Sequence, residues 1–166
     1  DVSNAFNSLS RDALFKAVSG TPLASYVEWA YAQPSRLIHV RGEVASLVGV
    51  QQGDPLAPTL FALTLAAAIH PWQQSLVADG NAQVMDLWYA DDCTLISPDP
   101  EALRAGVESL QPFLAQVGLH LSTDKCVWWS DGVPPAGFPP KNPTGTGHLT
   151  LRSPPHDAAI ATNHGM

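Results

Sequence analysis

Two strand-like runs with three residues between them constrain this chain more than any other feature of its sequence. Residues 83–89 (QVMDLWY) and 93–97 (CTLIS) are rich in the β-branched, aromatic and aliphatic residues that suit a pleated, half-buried surface, and only Ala90-Asp91-Asp92 separates them. So short a connection makes the two strands antiparallel neighbours, because parallel strands need a crossover of a dozen residues or more. Both carboxylates then stand at or beside the tip of a hairpin.

The punctuation elsewhere is equally local. Residues 10–19 (SRDALFKAVS) place Leu14, Phe15 and Val18 at helical spacing ahead of Gly20, a short helix with a stop signal. Thr21-Pro22 opens a second helix through Ala32. The runs 36–41 and 44–48 read as a hairpin around Gly42-Glu43, and Gln51–Pro58, with one glycine and two prolines, as a loop. An apolar helix follows from about Thr59 to His70, where Pro71 interrupts or ends it. A helix over 101–117, kinked at Pro112, and two short strands over 119–122 and 126–129 complete this part. The order of elements gives an α+β fold, with helices on one face of a small antiparallel sheet.

Composition changes near Asp131. Residues 131–166 carry seven prolines and five glycines, 12 of 36 positions, against 15 of 130 before them. A segment one-third proline and glycine cannot bury enough apolar surface to form a core, so 1–130 is read as the folded domain and 131–166 as a tail expected to be mostly disordered. The apolar run around Leu60–Ile69 is too short to span a bilayer, and no secretory signal opens the sequence. Cys93 and Cys126 are too few for a disulfide framework; the expectation is free thiols in a reducing, intracellular compartment, nuclear or cytoplasmic. Fifteen acidic against eight basic side chains give a net charge of −7, which argues against a chain that grips nucleic acid by its overall charge.

Four segments can carry chemistry. Adjacent aspartates at a hairpin tip repel each other and are tolerated where solvent or a cation compensates, and Mg²⁺ takes few carboxylates because it keeps several waters. Alone, Asp91-Asp92 reads equally as a solvated acidic turn. In Asp1-Val2-Ser3-Asn4-Ala5-Phe6-Asn7 a third carboxylate precedes a turn into helix. In Gly49–Pro58 (GVQQGDPLAP), Gly53 lets backbone approach a ligand and Gln52 both donates and accepts hydrogen bonds. In Gly118–Cys126 (GLHLSTDKC), Lys125 is a base-poor chain's one cation beside the last strands. The six histidines show no metal-ligand spacing, and Trp128-Trp129 is read as capping the core.

Taken in order, DVSNAFN, QQGDPLAP, YADD and GLHLSTDKC resemble motifs A, B, C and D of the reverse transcriptase palm, over about residues 1–130. The QGDPL form and the GLxLxxxKC segment resemble the non-LTR retrotransposon branch. This resemblance implies an RNA-directed DNA polymerase palm that adds deoxynucleotides to a primer 3′-hydroxyl. Its cofactors would be two Mg²⁺ ions, with Mn²⁺ as substitute, and its partners an RNA template, a DNA primer and dNTPs, with no membrane. Asp1 and Asp91 match the metal-holding aspartates, Asp92 the neighbouring carboxylate, and Val2 a backbone carbonyl ligand. Phe6 matches the aromatic gate that excludes a ribose 2′-hydroxyl, Gln52 and Gly53 the contact to incoming nucleotide, and Lys125 the proton donor to pyrophosphate. Two metals about 3.5–4 Å apart suit in-line displacement, a chemistry made mostly of positioning and charge neutralisation.

Against that family pattern, fingers and thumb are largely missing from these residues, and Asn7 and Ala57 are minor departures. The expectation is that residues 1–166 alone do not extend a primer measurably. Two alternatives remain: a non-catalytic retroelement remnant acting at most as a binding module, and an RNA-directed RNA polymerase palm, against which Phe6 speaks.

Overall fold

The computed structural model describes residues 2–40, 42–129, 135–138 and 159–163. In chain order, a one-turn helix α1 (Ala5–Ser8) leads into α2 (Arg11–Val18). Ser10 caps α2, its hydroxyl accepting the Ala13 N–H at 3.3 Å. After Gly20, Thr21 organises the next start: its hydroxyl donates to the Val18 carbonyl and accepts the Leu23 N–H just before α3 (Ala24–Tyr31).

A hairpin follows, β1 (Ser35–His39) against β2 (Gly42–Ser46). Its turn is earlier than the sequence indicates. His39 pairs with Gly42, so Gly42 and Glu43 belong to β2, and Gly42 enters that strand with a φ of 131° that only glycine adopts readily.

Helix α4 (Ala57–Ala78) runs straight through Pro71. The expected stop at His70 is therefore corrected. A proline inside a helix costs about 3 kcal/mol, and what lies beyond it offsets that cost. Trp72 is fully buried and donates its indole N–H to the Gly106 carbonyl at 3.2 Å and Ser109 Oγ at 3.0 Å, and Leu76 is buried one turn later. Polar Thr64, also fully buried, donates to the Leu60 carbonyl at 2.8 Å.

The partner of α4 is α5 (Pro100–Gln116), started by Asp99, whose carboxylate accepts the Glu101 N–H. Its buried residues, Ala102, Leu103, Gly106, Val107, Leu110 and Leu114, recur at the three- and four-residue spacing of one helix face. Pro112 lies inside it, as expected.

Between these helices β3 (Met85–Tyr89) and β4 (Asp92–Ser97) form the hairpin. Residues 119–122, expected as a strand, supply only one bridge, Leu121 to Val2, before a 3₁₀ turn (Thr123–Lys125) and β5 (Cys126–Trp129). A further strand, β6 (Ala159–Asn163), inserts between β4 and β5, giving an antiparallel sheet in the order β3-β4-β6-β5. It falls within the stretch expected to be mostly disordered, most of which lies outside the described residues.

One sheet face carries Asp86, Trp88, Leu95 and Trp128. There α4 reaches the sheet through Gln73, whose Nε2 donates to both Asp86 carboxylate oxygens at 3.0 Å, and Trp88 Nε1 donates to Asp86 at 2.8 Å. The other face leaves Met85, Leu87, Tyr89, Val127 and Trp129 exposed. Trp128 does close the core, against Phe138; Trp129 is half exposed. The α+β class read from the sequence is the class found. Among the described residues no helix is long and apolar enough to cross a membrane.

Candidate active site

The last pair of the hairpin ladder is Tyr89 with Asp92, so Ala90 and Asp91 are the whole turn. Ala90 has a φ of 54°, at the first central position, which such turns ordinarily give to glycine. A side chain there costs roughly 1–2 kcal/mol. Asp91 and Asp92 are both partly exposed at this tip, adjacent in sequence, and offer oxygen donors alone. That donor chemistry suits a hard divalent cation. Among the described residues no group of three or more histidine, cysteine, aspartate or glutamate side chains comes together, and Asp1 lies outside them. Behind the tip, burial pushes the Cys93 thiol well above its ordinary value, and Asp86 adds to the shift, so this cysteine is an unreactive filler.

Val2 is buried and bridges Leu121, and the Ser3 N–H donates to the His120 carbonyl at 2.8 Å. Gln111 of α5 ties down the same segment: its Oε1 accepts the Leu121 N–H at 2.9 Å, and its Nε2 meets His120 Nδ1 at 3.0 Å. Phe6 lies flat on Phe61 of α4, ring centroids 4.6 Å apart and planes 8° from parallel. The Phe6 carbonyl accepts the Val50 N–H at 2.8 Å, and the Leu9 carbonyl accepts the Gly49 N–H at 2.8 Å.

These approaches are close enough to require glycine. A Cβ on Gly49 would lie 2.5 Å from the Phe6 carbonyl oxygen, and one on Gly118 would lie 2.8 Å from the Ser8 carbonyl oxygen. Gly49 and Gly118 thus clamp the α1–α2 segment from two sides.

Gln52 and Gly53 are exposed at the corner of a turn closed by the Asp54 N–H donating to the Gln51 carbonyl at 3.2 Å. The φ of 94° at Gly53 is the positive value a type II turn needs at its third residue. Asp54 anchors this turn to α3: Tyr26 Oη donates to it at 3.0 Å, Tyr31 Oη donates to its other oxygen, and the Leu56 N–H donates at 2.8 Å. Burial pushes the Asp54 carboxyl up, but those three donors outweigh it and hold the group below its ordinary range. Tyr31 moves the opposite way, pushed up to about 12 by burial first and then by donating to Asp54. Tyr31 Oη also accepts the Gln51 N–H at 3.3 Å.

Arg11 supports the loop from beneath. Its guanidinium, drawn below the ordinary arginine value by burial, donates to the carbonyls of Gly49 and Tyr31 and to Ser46 Oγ, and lies 5.4 Å from the Tyr31 ring centre. Lys125 ends the 3₁₀ turn, exposed, just ahead of β5.

The contacts therefore join the first segment to the last through Val2, and to the Gly49–Pro58 loop through Phe6. Asp91 and Asp92 share a sheet with the last segment, β4 joining β5 through β6. Sequence reasoning gave no role to Arg11, Tyr31, Gly49 or Asp54. The available signals were an arginine opening a short helix and a glycine two residues before Gln51.

Tyr31→Phe keeps the ring and removes both hydroxyl contacts. It is expected to destabilise the chain by about 2 kcal/mol, since hydrogen bonds to charged groups are worth about 1.5–3 kcal/mol. The sign with pH follows from Asp54. A carboxyl whose folded value is depressed adds stability that is full above its unfolded value, near 3.8, and is lost as pH falls through the folded value. Urea titrations from pH 6 to 2.5 should show a shallower acid loss in Tyr31→Phe than in the unaltered chain; parallel curves would contradict this.

The family model for reverse transcriptase (RNA-dependent DNA polymerase) matches residues 1–147. Three relatives are Pol polyproteins of R2 retrotransposable elements. The one from the type-2 element R2DM of Drosophila melanogaster is 33% identical over 135 residues, 76% of this chain and 13% of the relative. Those from the type-1 element R2 of Nasonia vitripennis and of Bradysia coprophila are 28% and 30% identical, again over about three-quarters of this chain. The chain spans only 13–15% of the length of these relatives. With the hairpin carboxylates, the clamped first segment and the anchored glycine turn in the order the four motifs require, this chain belongs to the reverse transcriptase family.

Proposed function

We propose that this chain is the palm portion of an RNA-directed DNA polymerase of a non-LTR retroelement, acting inside the cell, in nucleus or cytoplasm, on an RNA template, a DNA primer and dNTPs. The observation that carries the reading is the pair Asp91-Asp92, one in a two-residue turn and the other opening β4, with the other three motif segments contributing to the same core. Reverse transcriptases as a family depend on divalent cations. Asp91 and Asp92, with Asp1 and the Val2 carbonyl, would hold Mg²⁺ or Mn²⁺, which supplies charge neutralisation for phosphoryl transfer. Phe6, fixed by its stack on Phe61, is the sugar gate. Gln52 and Gly53 contact the incoming nucleotide from a turn whose position Asp54 and Tyr31 set. Lys125 protonates the leaving pyrophosphate. Residues 1–130 carry the four motif segments of the domain, and β6 adds a strand to its sheet.

Mn²⁺ titration followed by electron paramagnetic resonance tests this reading on the chain itself. The expected result is saturable binding that Asp91→Ala abolishes. Equal, weak binding in both proteins would favour the remnant reading. In a primer-extension assay, 1–166 alone is expected to give no product above the Asp91→Ala background.

A further inference from the structure

Helix α3 puts its side chains to three different uses. Val27 and Tyr31 are buried in the core. Ala24, Glu28 and Ala32, at four-residue spacing, line a cleft shared with Phe15 and Val18 of α2. Tyr26 and Trp29, three residues apart, are neighbours on the helix surface. The Tyr26 hydroxyl donates to Asp54 at 3.0 Å, and the Trp29 ring centre lies 6.0 Å from that of Tyr26. Outward from the Gln52-Gly53 turn, the order of side chains is therefore Asp54, Tyr26, Trp29.

Trp29 is 82% exposed. Aromatic side chains that combine a large apolar face with a polar edge are typical of surfaces that a partner covers. The surroundings say what kind of partner. Neither α3 nor residues 51–56 contain a lysine or arginine, and the acid of the helix, Glu28, faces the α2 cleft. Such a surface does not grip phosphate. It offers a ring to an uncharged, planar group, and every nucleic-acid base has such a face. The same carboxylate of Asp54 holds both the turn, through the Leu56 N–H, and Tyr26. Ring pair and turn thus keep a fixed separation.

We propose that Trp29, backed by Tyr26, is a stacking platform for an unpaired base of the RNA template beside the Gln52-Gly53 turn. The inference rests on the polymerase reading above, which brings the template to that turn. Bases inside a duplex have both faces covered by their neighbours, so the platform takes the single-stranded stretch.

The test is a titration of the ¹⁵N-labelled full chain with single-stranded hexa-adenylate RNA at low salt, read on the indole N–H signals and the Gly53 amide. The Trp29 indole is expected to shift saturably and the Gly53 amide to follow the same curve, while the indole of buried Trp72 stays in place. Trp29→Ala, at an exposed position, should weaken binding at least about fivefold as read at Gly53, and Trp29→Phe should restore most of it. Equal affinity in Trp29→Ala, or an unmoved Trp29 signal, overturns the proposal. So does a Trp29 signal that follows protein concentration and not RNA, which would mark a protein-docking face. The Mn²⁺ titration above depends on Asp91 and not on Trp29. Loss of the stack therefore leaves the polymerase reading standing, and loss of metal binding with the stack intact counts against that reading alone.

Discussion

Gly49→Ala should cost this chain about 4 kcal/mol of stability, at the upper end of what single substitutions do. Two effects add. The φ of 76° at Gly49 imposes roughly 1–2 kcal/mol on any residue with a Cβ. The new methyl would also lie 2.5 Å from the Phe6 carbonyl oxygen and 2.6 Å from the Asn7 Cα, both backbone atoms that cannot rotate away. Relief requires α1 to back off, which breaks the Val50–Phe6 and Gly49–Leu9 hydrogen bonds and lifts Phe6 from Phe61. Gly53→Ala is the control. Its φ of 94° carries the same backbone penalty, but nothing lies within 4 Å of its Cβ, so about 1–2 kcal/mol is expected. Urea unfolding separates the two, and equal midpoints would refute the clamp.

Trp72→Ala should cost a similar amount, about 4 kcal/mol, the usual range for emptying a buried aromatic site being about 3–5 kcal/mol. Trp72 is fully buried between α4 and α5, and its loss leaves the Gly106 carbonyl without its indole donor. The substitution also tests why α4 continues beyond Pro71. If packing by Trp72 and Leu76 offsets the proline, the variant should lose helical signal over 72–78 in carbon chemical shifts before the rest of the chain unfolds. Trp72→Phe, which keeps most of the volume, should retain that helix and lose only about 1–2 kcal/mol with the hydrogen bonds. Retention of the helix in Trp72→Ala would point to intrinsic propensity instead.

How far the sequence could be read depends on where each signal is stored. The β3–β4 hairpin and α5 were legible because their instructions are local: a three-residue gap between strand-like runs, and a proline just ahead of the helix. Pro71 misled because its effect is local while its compensation, the α4–α5 contact, comes from more than thirty residues away. The turn, expected at Gly42-Glu43, lies two residues earlier, because glycine serves strand entry as readily as a turn. β6 was invisible, since a ladder formed by backbone groups leaves little trace in side-chain pattern. At the site, the motif residues were legible by resemblance. Their supports were not, because Asp54 needs Tyr26 and Tyr31, and Gly49 needs Phe6, and neither pairing is written in spacing.

Over residues 2–10 the long-range backbone contacts come from two distant stretches, 49–50 and 117–121. Ribosomes make the chain in the other order. Residues 1–10 are made before either stretch, yet the partner of Ser10 is Val117 and that of Ser3 is His120. Closing loops of that length is what slows folding. Gly49 and Val50 can hold one side of the segment early, but its contacts to 117–121 wait until more than a hundred further residues have been synthesised, and α2, α4 and α5 have a growing hydrophobic surface to bury in the meantime. A segment made before its partners is among the last parts of this domain to be fully fixed, which leaves it dependent on chaperones during synthesis.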